Sequence, residues 1–348
     1  MRKKKNYSLP LDKFINYSLY NKETGYYMKK NPFGENGDFT TAPNISRLFS
    51  EMIAIWIVGY WQSLGSPKKF NLIELGSGNG ELMKIIIESF KSFPQLLKSC
   101  NFIIHEKSPL LIKIQKKKLS KHKIIWTSRI DKIKNFPSIF IANEFFDSLA
   151  IKQFKKRKNE WFEKFVNLSN LNNSFFFEKK FNIKKLEEKI AFKISSNQNF
   201  IEFSETGANY LKQIGKIIKK NQGGLLIFDY GYFEKKMKNT LQTVSNHKFA
   251  NILENIGNVD ITHNINFELF RKIIKNLGGL ENCLTTQKNF LIKMGIKERA
   301  EIISKNLDFS KKADIFYRLN RLVSEREMGE IFKVMFIKNK SDKFKFGF

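Results

Sequence analysis

The segment Phe70–Phe90, FNLIELGSGNGELMKIIIESF, constrains this chain more than any other. Its first six residues, Phe70 to Leu75, are apolar apart from Asn71 and Glu74, the make-up of a buried strand. The glycine-rich turn Gly76-Ser77-Gly78-Asn79-Gly80 follows. Beyond it Leu82, Met83, Ile86, Ile87 and Phe90 recur at three- and four-residue spacing, which predicts an amphipathic helix. Strand, glycine turn and helix open a nucleotide-type α/β site.

The letters of the turn separate the ligands such a site can take. A P-loop ends in Gly-Lys-Ser/Thr, whereas this turn runs into Gly80-Glu81-Leu82. A dinucleotide fingerprint carries a third glycine where Glu81 stands. An acidic side chain on the first helical turn also repels pyrophosphate. The pattern Glu74-x-Gly76-x-Gly78-x-Gly80 suits a cofactor without phosphate, because the glycines admit it to the backbone and the carboxylate favours a cation. S-adenosylmethionine, with its sulfonium and ammonium groups, is such a ligand. A glycine turn without any ligand is the bland alternative.

The remaining chain reads as the rest of an α/β sheet. Asn101–Glu106 is a second strand, with Glu106 at its carboxyl end, where a carboxylate accepts hydrogen bonds from both ribose hydroxyls. Ile124–Trp126 is a third strand. Ser138–Ala142 is a fourth and ends in Asn143-Glu144-Phe145-Phe146-Asp147. Gly223–Gly231 gives a fifth strand and turn, and Leu284–Gln287 and Phe332–Ile337 give the last two. Helices are expected over Leu11–Tyr20, Ile45–Trp61 with Asn44 as N-cap, Lys107–Lys123, Thr206–Lys219 and Phe267–Leu277, with two more within Ile292–Val323. Short apolar runs in Ile151–Phe177 predict an inserted hairpin or small sheet. The loop Gly34–Pro43 reads either as a plain turn or as a cover over the cofactor, which would bring Gly37 and Asp38 to it. One doubly wound α/β domain over residues 1–348 results. Residues 1–66 form an N-terminal helical cover, 67–150 the cofactor-binding half, 151–205 the insertion and 206–348 the C-terminal half of the sheet.

The net charge of +29 and isoelectric point near 9.9 invite a nucleic-acid reading. Only nine of the 62 basic residues are Arg, and Lys is spread along the whole chain. Lys is the weaker residue for bidentate or stacked recognition, so nucleic acid stands as the alternative partner. Cys100 and Cys283 lie apart, with no Cys-x-x-Cys or Cys/His cluster, which argues against a zinc site or a disulfide framework. A reducing compartment, the cytoplasm, is expected. The basic start lacks the apolar core of a signal peptide. The longest apolar run, Met52–Trp61, falls short of the ~20 residues of a membrane span.

The methyl acceptor is read after the fourth strand. Amino-group methylases of bases carry Asn/Asp-Pro-Pro-Tyr/Phe there, but Asn143 is followed by Glu144-Phe145-Phe146. Cytosine C5 chemistry needs a nucleophilic thiol, commonly after Pro, and neither cysteine fits. The chain offers carboxylates instead, Glu144 and Asp147, with Asp229 and Asp38 as further candidates. Paired carboxylates suit a guanidinium, whose fork of donors they hold bidentately. Methyl transfer then needs positioning and desolvation, with a base to take a proton late. Asn143, Glu144 and Asp147 form the candidate catalytic set. Glu74, Gly76, Gly78, Gly80, Glu106, Gly37 and Asp38 form the cofactor set, with no metal.

Six ordered motifs carry a family resemblance. They are Gly34-x-x-Gly37-Asp38-Phe39, Glu74-Leu75-Gly76-x-Gly78-x-Gly80, Asn143–Asp147, Asp229-Tyr230-Gly231, Val259-Asp260-Ile261-Thr262 and Met328-Gly329-x-x-Phe332-Lys333-Val334. From about Pro10 to Ile337 the chain resembles the family of the mitochondrial complex I assembly methyltransferase, which has bacterial members. The resemblance implies a class I methyltransferase fold, a seven-stranded Rossmann-like sheet, and S-adenosylmethionine as cofactor. It also implies a protein substrate, since the mitochondrial member makes symmetric dimethylarginine on a core subunit of NADH dehydrogenase. Asn44 stands where the family commonly has an acid, Ser77 where it has Pro, and His263-Asn264 is shifted from the usual Ala-His order. These departures bear on substrate more than on cofactor.

Overall fold

Phe70–Leu75 (β1) is buried along its whole length, as a strand covered on both faces must be. The computed structural model describes residues 8–34, 37, 40–168, 174–245, 248–249 and 251–348. In it β1 pairs in parallel with Cys100–His105 (β2) on one side and Ser138–Asn143 (β4) on the other. Ile124–Thr127 (β3) extends the sheet beyond β2, and Gly223–Tyr232 (β5) extends it beyond β4. Two antiparallel strands, Phe332–Asn339 (β7) and then Leu280–Thr286 (β6), complete it. The order is β6-β7-β5-β4-β1-β2-β3, with the short strand Ile265–Asn266 joined to β5. The expected seven-stranded, doubly wound methyltransferase sheet is therefore present.

Alternate residues of the strands feed two cores. Leu72, Ile139 and Phe228 join one with Phe49, Trp56 and Ile86. Ile73, Phe140 and Ile227 join the other with Leu211, Phe270 and Ile274. In register, Leu75 lies opposite both His105 and Ala142, and Phe228 lies opposite Asn143. Gly76, Glu106 and Glu144 thus leave the sheet along a single edge, level with Asp229 near the end of β5, where open α/β sheets bind ligands.

Two smaller sheets stand over that edge. Lys152–Arg157, Glu160–Asn167, Phe175–Phe181 and Phe200–Phe203 form one, joined by Ser8–Pro10 from the N-terminus. Gln242–Ser245, Lys248–Phe249 and Asp260–Thr262 form the other. The helix Leu11–Tyr20 packs its Leu11, Phe14, Ile15 and Leu19 against Ile151, Val166 and Ile261, which ties the N-terminus to both sheets.

Several expected elements differ in detail. Asn44 does not cap the long helix; it lies inside a short helix, Ala42–Ile45, and Ser46 caps Arg47–Ser63 by accepting from Leu48 N at 3.3 Å. The helix after β2 begins at Pro109, capped by Ser108, and ends at Lys118, since Pro favours the first helical turn. The two helices expected within Ile292–Val323 are Ile296–Ser304 and Phe309–Val323, and a further helix, Gln287–Lys293, precedes them. Gly295, at φ +82°, separates that helix from Ile296–Ser304. No described helix is long and apolar enough to cross a membrane.

Candidate active site

A cavity of about 430 Å³ opens beyond the carboxyl ends of β1, β2, β4 and β5. Gly76, Gly78, His105, Glu106 and Lys107 line one end, and Glu144, Asp147, Tyr230, Asp260 and Thr262 line the other. Tyr20, Tyr27 and Phe33 from the N-terminal cover form a wall. A smaller recess adjoins it beneath the glycine turn, lined by Glu74, Ser77, Asn79 and Asn143 and sharing Gly76, Gly78 and Glu144.

The glycine turn is shaped for close approach. Gly76 and Gly78 have φ of +64° and +51°, a region that side chains other than Gly rarely occupy. A Cβ on Gly76 would stand 2.9 Å from the Phe145 ring. Gly80 N-caps the helix Glu81–Phe90 and faces away from the cavity, toward Gln115 and Leu119. Glu81 pairs with Lys118 and Lys84 outside the cavity. Gly37 closes a turn by donating to Gly34 O at 2.9 Å and does not line the cavity. Asp38 lies outside the described residues. From the same loop, Thr41 and Phe33 reach the cavity.

Two carboxylates flank the turn. Glu74 is buried and accepts from Ser77 Oγ at 2.6 Å. Burial pushes its carboxyl up to about 7, against the Ser77 hydrogen bond and with the help of nearby Glu106. Glu106 Oε1 accepts from Lys107 N at 2.8 Å and Ser108 N at 3.0 Å, while Oε2 accepts from Gln115 Nε2 at 3.1 Å. Gln115 also donates to Gly78 O at 2.9 Å and accepts from Trp126 Nε1 at 3.0 Å. One amide therefore ties the glycine turn to the acid that faces it. His105 bridges Thr127 O and the Tyr210 hydroxyl, at 3.1 and 2.8 Å. Burial, with Lys107 beside it, drops its imidazole to about 4, so it is neutral, donating through Nδ1 and accepting at Nε2.

At the other end acidic groups crowd together. Glu144 sits at φ +49°, a strained setting for a residue with a long side chain. Its backbone N donates to Phe228 O at 2.9 Å, and its Oε1 accepts from Asn143 Nδ2 at 3.2 Å. Burial first, then the charge of Asp147, raises its carboxyl to about 8. Asp147 is only 4% exposed. Its Oδ2 accepts from the Tyr230 hydroxyl, and its Oδ1 is buried with no hydrogen-bond partner among the described residues. Burial raises its carboxyl, opposed by the Tyr230 hydrogen bond. Asn143 faces the recess rather than the main cavity, and its Oδ1 is likewise buried without a partner.

Asp229, a further acid candidate, does not line the cavity. It is fully buried and holds the Glu144–Asp147 loop, accepting from Phe146 N at 3.1 Å and Asp147 N at 3.3 Å. Its role is architectural because both oxygens are occupied by backbone N–H groups, Tyr230 N taking the other. His263, left out of the candidate set, is buried with its ring nitrogens against Leu149 O and Asn264 O. Tyr27, Tyr230, Gln115 and Asp260 had no individual role in the sequence reading. The Tyr26-Tyr27 doublet before the covering loop was the available signal for the first of them. Among the described residues no cluster of His, Cys, Asp and Glu could hold a metal ion.

This donor set fits S-adenosylmethionine. The glycine cradle admits a ligand that a Cβ would exclude, and Glu106 offers a fixed acceptor to ribose hydroxyls. The acids at the far end favour positive charge. Comparison with known proteins points the same way. The chain is 28% identical over 366 residues to the mitochondrial protein arginine methyltransferase NDUFAF7 of Xenopus laevis, covering 93% of this chain and 80% of that protein. The Homo sapiens protein of the same name is 27% identical over 356 residues, covering 90% and 76%. The fold matches the crystal structure of a Burkholderia thailandensis protein bound to S-adenosyl-homocysteine, with a TM-score of 0.81 and 19% identity over 98% of this chain and 90% of that one. Residues 52–284, more than half of the chain, match the family model described as "Putative S-adenosyl-L-methionine-dependent methyltransferase". The chain belongs to this family of S-adenosyl-L-methionine-dependent methyltransferases.

Proposed function

We propose that this methyltransferase acts on a guanidinium nitrogen of arginine within a protein. The observation that carries the reading is Asp147, a buried carboxylate at the cavity with Tyr230 on one oxygen and no hydrogen-bond partner on the other among the described residues, beside the half-buried Glu144. Buried carboxylates without partners are costly. A guanidinium, with its planar fork of donors, satisfies two such oxygens at once. The name of the relatives, protein arginine methyltransferase, supports the same acceptor.

In this reading Gly76 and Gly78 cradle the amino-acid end of the cofactor, Glu74 favours its positive charge and Glu106 accepts from its ribose. Gly80 and Gly37 set the turns around it, and Asp38, outside the described residues, keeps the cofactor role expected from the sequence. Bound there, S-adenosylmethionine supplies an electrophilic methyl group. Glu144 and Asp147 grip the guanidinium and exclude water from the attacking nitrogen. Asn143 steadies Glu144 through its amide. Glu144, held near 8, takes the proton released from the methylated nitrogen, because a base close to the working pH is the effective one. The specific form of the proposal is symmetric dimethylation of an NADH dehydrogenase subunit. Two unpaired cysteines support a reducing compartment, the bacterial cytoplasm.

Incubation with methyl-labelled cofactor and fractionated cell extract tests the reading. Label is expected on protein, released by acid hydrolysis as methylated arginine. Label on RNA or small molecules alone would overturn it.

A further inference from the structure

Asp260 belongs to neither the glycine turn nor the loop after β4, yet it reaches the same cavity. It lies on the small sheet Gln242–Ser245, Lys248–Phe249 and Asp260–Thr262. Asp260 is 4% exposed. The Tyr27 hydroxyl donates to its Oδ2 at 2.9 Å, and Ile261 N donates to its Oδ1 at 2.9 Å. Tyr27 is itself fixed, stacked between Tyr20 and Phe33 at 5.5 and 6.2 Å, and its carbonyl accepts from Ser108 Oγ at 2.6 Å. Gln242, Thr262 and Asn264 continue this polar wall. An acidic cluster alone has many explanations, but Asp147 lines the same cavity and its buried Oδ1 has no hydrogen-bond partner among the described residues, so a donor from a ligand would satisfy it. A carboxylate pinned on a rigid aromatic arm costs nothing further to orient when such a ligand arrives.

Resting on the arginine reading above, we propose that Asp260 is a specificity-determining residue. In this proposal its carboxylate takes the edge of the acceptor guanidinium left free by Glu144 and Asp147, and Tyr27 is the positioning residue that holds it there. A third carboxylate on a separate segment selects a planar cation with donors on several edges over the compact ammonium of lysine. It also divides the cavity by origin. The main sheet supplies the donor end and, through the loop after β4, Glu144 and Asp147, while the N-terminal cover and the small sheet supply Tyr27 and Asp260.

The test is titration of the full-length protein, saturated with S-adenosylhomocysteine, with N-acetyl-arginine amide and with N-acetyl-lysine amide, followed by NMR. The natural protein is expected to bind the arginine probe and to prefer it to the lysine probe. Asp260→Asn is expected to weaken the arginine probe about tenfold or more and to erode that preference. S-adenosylhomocysteine affinity, which also reports folding, is expected to change by less than about twofold, since the site residues at that end are untouched. Tyr27→Phe, which keeps the ring and removes the hydroxyl that donates to Asp260 Oδ2, is expected to give a smaller loss of the same kind. Unchanged arginine binding in both variants, or an equal loss of S-adenosylhomocysteine affinity, overturns the role of Asp260 alone. Failure of the natural protein to bind the arginine probe overturns the arginine reading and this inference with it.

Discussion

Replacing Glu144 by Gln is expected to make the protein more stable at alkaline pH while abolishing methyl transfer. Glu144 is half-buried beside Asp147, Asp229 and Asp260, and desolvation first, then the charge of Asp147, raises its carboxyl to about 8 against an ordinary 4.5. A carboxyl raised on folding gives stability that is complete below the unfolded value and is lost as pH rises through the folded one. Between about 4.5 and about 8 the native state holds a proton that the unfolded chain has released. Over that window stability falls by about 1.4 kcal/mol per pH unit, about 5 kcal/mol in all for this group. Gln has the shape of the protonated carboxyl, can still accept from Asn143 Nδ2, and never ionises.

Urea melts of both proteins across pH 5 to 9, without ligand, measure the effect. The two curves should nearly coincide at the acid end and separate steadily, with the variant ahead by a few kcal/mol at the alkaline end. S-adenosylhomocysteine affinity should be preserved, and single-turnover methyl transfer should be lost. A variant that is less stable than the natural protein at pH 9, or a pH-independent difference, would refute the argument. Either result would mean that Glu144 ionises in the folded protein without penalty, and the like-charge crowding that fits it as a base would then be absent. Active sites that hold like charges together pay in stability for function, and relief on neutralising one of them is the signature.

Three further substitutions probe the donor end and the acid loop. Gly76→Ala forces a Cβ to 2.9 Å from Phe145 at φ +64°, which should cost about 1–3 kcal/mol in thermal unfolding and weaken S-adenosylhomocysteine in calorimetry at least tenfold. Gln115→Leu removes the amide that ties Gly78 O to Glu106; cofactor affinity should fall about tenfold, with kcat at saturating cofactor little altered. Tyr230→Phe strips Asp147 Oδ2 of its donor; destabilisation of about 1–3 kcal/mol and slower transfer are expected, with cofactor affinity unchanged.

The strand, glycine turn and helix were legible in the sequence because their requirements are local. Phe70–Leu75, the turn and the helix from Glu81 are consecutive, and the glycines announce a backbone that side chains would obstruct. Glu106 could be found because it ends the neighbouring strand, and parallel register carries strand ends to one edge. Glu144 and Asp147 followed from the same rule at β4. Asp229 misled because the rule gives a strand-end position but not a direction. Its carboxylate turns inward to the N–H groups of Phe146 and Asp147. Asn44 misled for a similar reason, since Ser46 two residues later takes the capping geometry.

The wall built by Tyr27 and Asp260 was not legible, because its parts are distant in sequence. Tyr27 and Asp260 are separated by 233 positions and meet through one hydrogen bond. The packing that brings them together is long-range as well: Leu11, Phe14 and Leu19 against Val166 and Ile261. No periodicity in either segment signals the other. A sheet edge that binds a common cofactor can be specified by one short motif, whereas the choice of acceptor rests on how separate insertions close over it. Variation among relatives in what they methylate should therefore concentrate in the N-terminal cover and in the Gln242–Thr262 wall. Exchange of these segments between two relatives of different substrate preference should carry the preference with it and leave cofactor affinity behind. A preference that instead stayed with the main sheet would show that the loop after β4 selects the acceptor unaided.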